Sequence, residues 1–235
     1  MLEAILFDWG DTLMRWEWDE ALIEAGHRAG LQSIGRERLP ALTERFAEAY
    51  LPLLNAPGVL EEVEYPGLVR NVLGDVGIDV SGEELACFLE AEHAAWEPAR
   101  MLASTTHSLL ETLRERGFGL GLVSNAIDPA WLLHRDLGQQ GIAQRLDVAV
   151  FSSEVGWRKP HPVIFERALE QLGVAPERAL FVGDRLYEDV HGARRLGMTT
   201  VQALWFRADD DLDGAEADFQ AFTQMDIVNI VKRLS

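Results

Sequence analysis

The residues best suited to chemistry stand at or beyond the ends of short apolar runs. Asp8 ends the run Ala4-Ile5-Leu6-Phe7 and opens Asp8-Trp9-Gly10-Asp11-Thr12; Ser124 and Asn125 follow Val123; Lys159 stands in Gly156-Trp157-Arg158-Lys159-Pro160; Asp184 follows Val182-Gly183, with Asp189 five residues on. Carboxylates such as Asp8 and Asp184, placed at neighbouring strand tips, repel unless a cation lies between them. A hard divalent ion held by one or two carboxylates plus water is the magnesium (Mg2+) pattern. Lys159 precedes a helix predicted to open at Pro160, where the helix dipole already favours anions. A cation there costs a little helix stability and strengthens an anion site. Ser124 and the backbone N–H groups after it can hold phosphate oxygens by neutral hydrogen bonds. Metal, ammonium and hydroxyl together make a local trap for a phosphate group.

Such groups meet only if the chain carries their strands to one edge. The run ending at Asp8 reads as a fully buried strand, and similar runs recur at Phe118 to Val123, Val148 to Phe151, Ala179 to Val182 and Thr199 to Leu204. Amphipathic segments closed by Gly117, Gly173 and Gly197 lie between them. Alternating strand and helix predicts an α/β fold with an open parallel sheet flanked by helices. From Met14 to Ala103 the patterns are helical only, as in Ala41 to Leu54, Leu68 to Val76 and Glu83 to Trp96. Residues 1–13 and 104–235 are therefore expected to form the core domain, and 14–103 a helical insertion over the carboxyl ends of the strands, where ligands bind in such folds.

Composition narrows the partners. With 21 basic and 39 acidic side chains the net charge is −18, a sign that repels nucleic-acid phosphates and anionic membrane surfaces. A phosphate ligand must then be held by groups built locally, as above. Cys87 is the only cysteine, which excludes an intrachain disulfide and a Cys-based zinc site; a reducing, cytoplasmic setting is expected, and the helical stretch around Cys87 predicts a core position. Lysine occurs only at Lys159 and Lys232, so its use at Lys159 stands out.

In order and spacing these motifs resemble the four motifs of the haloacid dehalogenase (HAD) superfamily, over almost the whole chain. The resemblance implies Asp8 in FDWGDTL as nucleophile, Ser124 in LVSN as phosphate ligand, Lys159 in GWRKP as the third-motif lysine, and Asp184 and Asp189 in GDRLYED as metal-binding residues. It also implies that residues 14–103 are a C1-type cap on a Rossmannoid core, and that an aspartyl-phosphate forms at Asp8. One position departs: the phosphatase pattern has a second Asp two residues after the nucleophile, as general acid and base, and position 10 is glycine. The Gly10 carbonyl can still ligate magnesium, while proton transfer loses its usual agent; Asp11 is the nearest substitute.

These signals predict a magnesium-dependent phosphatase acting on a small phosphorylated metabolite. Metal-free 2-haloacid dehalogenation is the nearest rival, and the intact Asp184 and Asp189 argue against it. Phosphonoacetaldehyde hydrolysis needs a cap lysine, and none lies between Met14 and Ala103. A mutase would need the proton shuttle missing at position 10, and a catalytically weak metabolite- or protein-binding relative is the reading from another class. Blander roles stand beside each assignment: turn residue for Asp8, helix caps for Ser124, Asn125 and Asp189, surface ion pairs for Arg15, Arg100 and Arg185, hinge packing for Trp16 and Trp18, a lone exposed histidine for His161, and a solvated turn for Asp209-Asp210-Asp211 with Asp213.

Overall fold

The computed structural model describes residues 1–17, 19–37, 39, 41–54, 59–206 and 216–234; Trp18 and the acidic run from Asp209 to Asp213 lie outside them. The strands are β1 (Ala4–Phe7), β2 (Met14–Trp16), β3 (Arg100–Leu102), β4 (Gly119–Ser124), β5 (Val148–Phe151), β6 (Ala179–Gly183), β7 (Thr199–Ala203) and β8 (Phe219–Ala221). The helices are α1 (Glu20–Ser33), α2 (Ala41–Leu54), α3 (Tyr65–Asp75), α4 (Gly82–Ala95), α5 (Thr106–Glu115), α6 (Ala130–Gln139), α7 (Ser152–Val155), α8 (Pro162–Leu172), α9 (Gly192–Arg195) and α10 (Asp226–Leu234).

Six strands form one parallel sheet in the order β5-β4-β1-β6-β7-β8. The sequence predicts five of them; β8 is the addition, a strand too short to show a period. β1 is apolar throughout because both its faces are covered. Ile5 and Phe7 join a cluster with Leu110 and Leu113 of α5, Leu133 of α6 and Ile227 of α10. Ala4 and Leu6 face Ile164, Phe165 and Leu169 of α8 and Ala193 of α9. This is a three-layer α/β/α core with β1 central.

Between β1 and β4 the chain forms α1–α4, which bury their own cluster of Leu31, Leu42, Phe46, Val69, Leu73 and Phe88. Ser81 caps α4 with a reciprocal bond to Glu84. Two short strands missed by periodicity connect this segment to the core: β2 and β3 pair antiparallel, with Met14 opposite Leu102 and Trp16 opposite Arg100. Three residues per strand is less than alternation needs to register. Cys87 is exposed rather than core, because the buried stripe of α4 runs through Leu85, Phe88, Leu89, Glu92 and His93. No helix among the described residues is long and apolar enough to cross a membrane.

Candidate active site

The sheet order places β4 and β6 on either side of β1, so the three tips that carry Ser124, Asp8 and Asp184 lie together. Phe7 pairs with Leu122 on one side and with Val182 on the other. The Asp8 N–H donates to the Val182 carbonyl at 2.9 Å, which carries the ladder one residue past β1 and fixes the Asp8 backbone. The chain then turns sharply: the N–H groups of Thr12, Leu13 and Met14 all donate to the Trp9 carbonyl. Asp11 adopts a left-handed backbone with φ 55°, a conformation that Asp tolerates in turns.

Carboxylate oxygens of Asp8, Asp184 and Asp189 lie within 4.8 Å of one another, and all three residues are buried. Lys159 reaches them from the loop ahead of α8. Its Nζ donates to Asp8 Oδ1 at 2.5 Å and to Asp189 Oδ1 at 2.7 Å, and the residue is 3% exposed. Burial pushes the Asp8 carboxyl up to about 7 despite the Lys159 ammonium, with Asp189 adding to the rise. Burial likewise raises Asp184 to about 8, reinforced by Asp189 and Asp8. Burial alone would lower Lys159, but Asp189 and Asp8 outweigh it and hold the ammonium above its ordinary value. One ammonium therefore leaves this group of carboxylates undercompensated, the condition under which a cation binds.

Asp189 has both oxygens engaged, one by Lys159 and the other by the Arg185 N–H at 3.0 Å. It sits in a π-helical turn, Leu186–His191, and a Cβ at Gly183 would come 2.3 Å from its Oδ2, so only glycine fits there. Ser124 is 5% exposed at the tip of β4. Asn125, expected to touch substrate, instead clamps the lysine loop: its Oδ1 accepts the Lys159 N–H at 2.7 Å, and its Nδ2 donates to the Lys159 carbonyl at 3.3 Å and to Glu188 at 3.1 Å.

Asp11 is drawn away from the cluster. Its Oδ1 accepts the Trp16 N–H at 3.0 Å, which shapes the turn into β2. Gly10 faces open space, since a Cβ there would meet nothing within 4 Å. Helix α8 begins at Pro162 with His161 as its cap, so Lys159 stands three residues ahead of the helix rather than next to it. The proline at position 160 belongs to the loop. Arg15 pairs with exposed Glu17. Buried Arg100 donates to Asp136 and to the His93 carbonyl, both at 2.6 Å, far from a free anion contact.

Sequence reasoning missed the groups that join the helical segment to this site. His93 of α4 bonds Asp128 at 2.6 Å and Asp136 of α6 at 2.9 Å. Burial opposes its charge, yet bonds to Asp128 and Asp136 raise its pKa above the ordinary imidazole value. Glu62 accepts from Ser152, and Arg158 faces Glu62 at 3.9 Å. These residues are scattered along the chain, and no spacing announces them.

Residues 2–197 match the family model described as haloacid dehalogenase-like hydrolase. The chain is 30% identical to the glyceraldehyde 3-phosphate phosphatase of Methanopyrus kandleri, with 100% of this chain and 99% of that protein covered. The phosphoserine phosphatase of Thermus thermophilus is 31% identical, over 79% of this chain and 71% of that one. Among solved structures, a HAD phosphatase from Thermococcus onnurineus superposes with a TM-score of 0.67 at 26% identity, covering 98% of both chains. With Asp8, Lys159, Asp184 and Asp189 gathered at the carboxyl end of the sheet and the family model spanning most of its length, this chain belongs to the haloacid dehalogenase-like hydrolases.

Proposed function

We propose that the chain is a magnesium-dependent phosphatase that acts on a small phosphorylated metabolite through an aspartyl-phosphate at Asp8. The observation that carries this reading is the buried Asp8 carboxylate at the tip of β1, held by Lys159 and grouped with the oxygens of Asp184 and Asp189. An all-oxygen carboxylate set suits a hard divalent cation. Asp8, Asp184 and the Gly10 carbonyl would hold Mg2+, which would offset the charge on the transferring phosphoryl oxygens. Asp189 then serves chiefly to hold Lys159, although it remains a candidate ligand.

Asp8 attacks phosphorus in line, the ester P–O bond breaks, and water later cleaves the acyl phosphate to regenerate the carboxylate. Lys159 and Ser124 bind the phosphoryl oxygens, and the Asn125 side chain keeps the lysine loop in place. The proton for the leaving oxygen has no residue at position 10 to supply it, and Asp11 would have to release Trp16 to do so. Names of the relatives support a small phosphate ester as substrate. The carboxylate cluster favours this reading over halide displacement, which needs no metal. A screen of phosphate esters with and without magnesium tests it: metal-dependent release of orthophosphate is expected, and hydrolysis unaffected by chelator would overturn it.

A further inference from the structure

Glu62, in the segment between α2 and α3, bonds to the core domain at Ser152. Its side chain is 2% exposed. One oxygen accepts the Val63 N–H at 2.9 Å, and the other accepts the hydroxyl of fully buried Ser152 at the start of α7. The same hydroxyl accepts the Ala126 N–H at 2.8 Å and lies 3.2 Å from the Ala126 carbonyl. Ala126 is two residues past Ser124, in the turn whose hydroxyl and N–H groups would cradle phosphate.

A serine hydroxyl has one proton to give. Donated to the Glu62 carboxylate, a charge-assisted bond, it leaves a lone pair aimed at the Ala126 N–H. With Glu62 withdrawn, the nearest acceptor is the Ala126 carbonyl, and rotation toward it turns the lone pair away from that N–H. The neighbouring backbone makes a second link to the core. Glu62 N–H donates to the Gly156 carbonyl at 2.9 Å, Arg158 N–H donates to the Leu60 carbonyl at 2.8 Å, and Glu61 and Trp157 form an antiparallel bridge. The next residue along is Lys159, tied in turn to Asn125.

We propose that Glu62 is a positioning residue: through Ser152 and the 156–158 segment it sets the turn after Ser124 and the lysine loop, so the core's phosphate cradle is complete only when the helical segment is seated. This rests on the phosphatase reading for its effect on turnover, but the link to Ala126 is measurable without it.

Both Glu62 oxygens are engaged within the protein, so orthophosphate bound at the Asp8 cluster reports positioning rather than direct contact. In Glu62→Ala, competitive inhibition of p-nitrophenyl phosphate hydrolysis by orthophosphate should weaken about threefold to tenfold, the range equivalent to one net hydrogen bond. Glu62→Gln keeps an acceptor oxygen for Ser152 while giving up the Val63 N–H bond, and should recover inhibition to closer to wild type than Glu62→Ala. Ser152→Ala should reproduce the loss from the core side, and the double variant should be no weaker than the worse single, because the two groups act in series. Amide exchange at Ala126 should quicken in Glu62→Ala and Ser152→Ala and stay slow in Glu62→Gln. Should Glu62→Ala fail to fold, Glu62→Asp, one methylene too short to keep the Ser152 bond, carries the same test. Unchanged Ala126 exchange in the folded variants overturns the proposal whatever the activity. Unchanged orthophosphate inhibition with a raised KM for a bulkier ester overturns it in favour of substrate contact. Absence of any phosphatase activity in the wild type, with Ala126 exchange responding as stated, would reject the assigned reaction and leave the Glu62 linkage standing.

Discussion

Replacing Lys159 with Met removes the ammonium that faces the acidic cluster. Nζ lies 2.5 Å from Asp8 and 2.7 Å from Asp189, and Asp184 shares the cluster. With every group ionised the formal charge there falls from −3 + 1 = −2 to −3. One ion pair near 4 Å at an effective dielectric of 20 is worth ~4 kcal/mol before desolvation. Removing one partner from a buried pair costs about 3–5 kcal/mol. That is the loss expected at pH 8 in chelator, against a domain stability on the order of 5–15 kcal/mol. Met is close to Lys in volume, so cavity formation adds little. The loss must depend on pH. Asp8 and Asp184 titrate at about 7 and about 8, above their ordinary 3.8, and move higher without the ammonium. A carboxyl raised in the folded state stabilises fully below its unfolded pKa and loses that contribution as pH rises through its folded value. At pH 5 both are protonated and only the Asp189 bond is lost, so the deficit should be smaller than at pH 8; the gap widens as pH rises to 8 and beyond. Urea unfolding followed by tryptophan fluorescence in EDTA measures it. An equal loss at pH 5 and 8, or a loss below about 1 kcal/mol at pH 8, would refute the assignment of Lys159 as the counter-charge.

Other perturbations test the remaining roles. Asp184→Asn should weaken magnesium binding in calorimetry and abolish metal-dependent hydrolysis with the circular dichroism spectrum retained; undiminished turnover would remove Asp184 from the site. In the wild type, magnesium at hundredfold excess over its Kd should raise stability by about 2.7 kcal/mol, reversed by chelator. Gly10→Asp, which has room for its side chain, should accelerate cleavage of poor alkyl leaving groups by up to about 10²-fold to 10⁴-fold and p-nitrophenyl phosphate far less. Loss of alkyl phosphate turnover in Asp11→Asn, with Gly10→Asp silent, would instead make Asp11 the acid. Within the helical segment, burial raises Glu92 well above its ordinary 4.5, and Tyr65 donates to it at 3.0 Å. Burial favours its protonated form, so Glu92→Gln should match wild-type stability in acid and exceed it at alkaline pH, where the wild type loses the contribution of its protonated carboxyl. A thermal melt series across pH decides it, and a uniform deficit would mean that Glu92 is ionised.

The sheet was legible in the sequence because its central strands are buried on both faces and therefore wholly apolar, each ending in a polar residue. Asp8, Ser124 and Asp184 were legible for the same reason, as polar groups at the ends of such runs, and Lys159 because lysine is scarce in this chain. What escaped were features set by tertiary contact. β2, β3 and β8 span three residues each and carry no period. Helix α8 starts at Pro162 because the loop from 156 to 159 is held by residues 60–62, a partner that local signals cannot supply. Asp11 and Asn125 read as chemical groups by type, but the Trp16 N–H and the Lys159 backbone claim them. Likewise Arg100, His93, Asp128 and Asp136 become one buried network only after α4 lies on α6.

The β2–β3 ribbon makes the helical segment a loop with a closed neck. Met14 and Leu102 are paired neighbours, so the chain leaves the sheet and returns to it at almost the same point. Whatever lies between them is free to lengthen, shorten or be exchanged without shifting the register of β1 against β4, provided the neck can still zip. Selectivity can therefore diversify in the segment while the machinery at the tips of β1, β4 and β6 keeps its spacing. A transplant of the helices from another member, joined at residues 17 and 99, would alter which ester is accepted and leave the Asp8–Lys159 contact where it is, provided the contacts of residues 60–62 with Ser152 and the 156–158 stretch are kept.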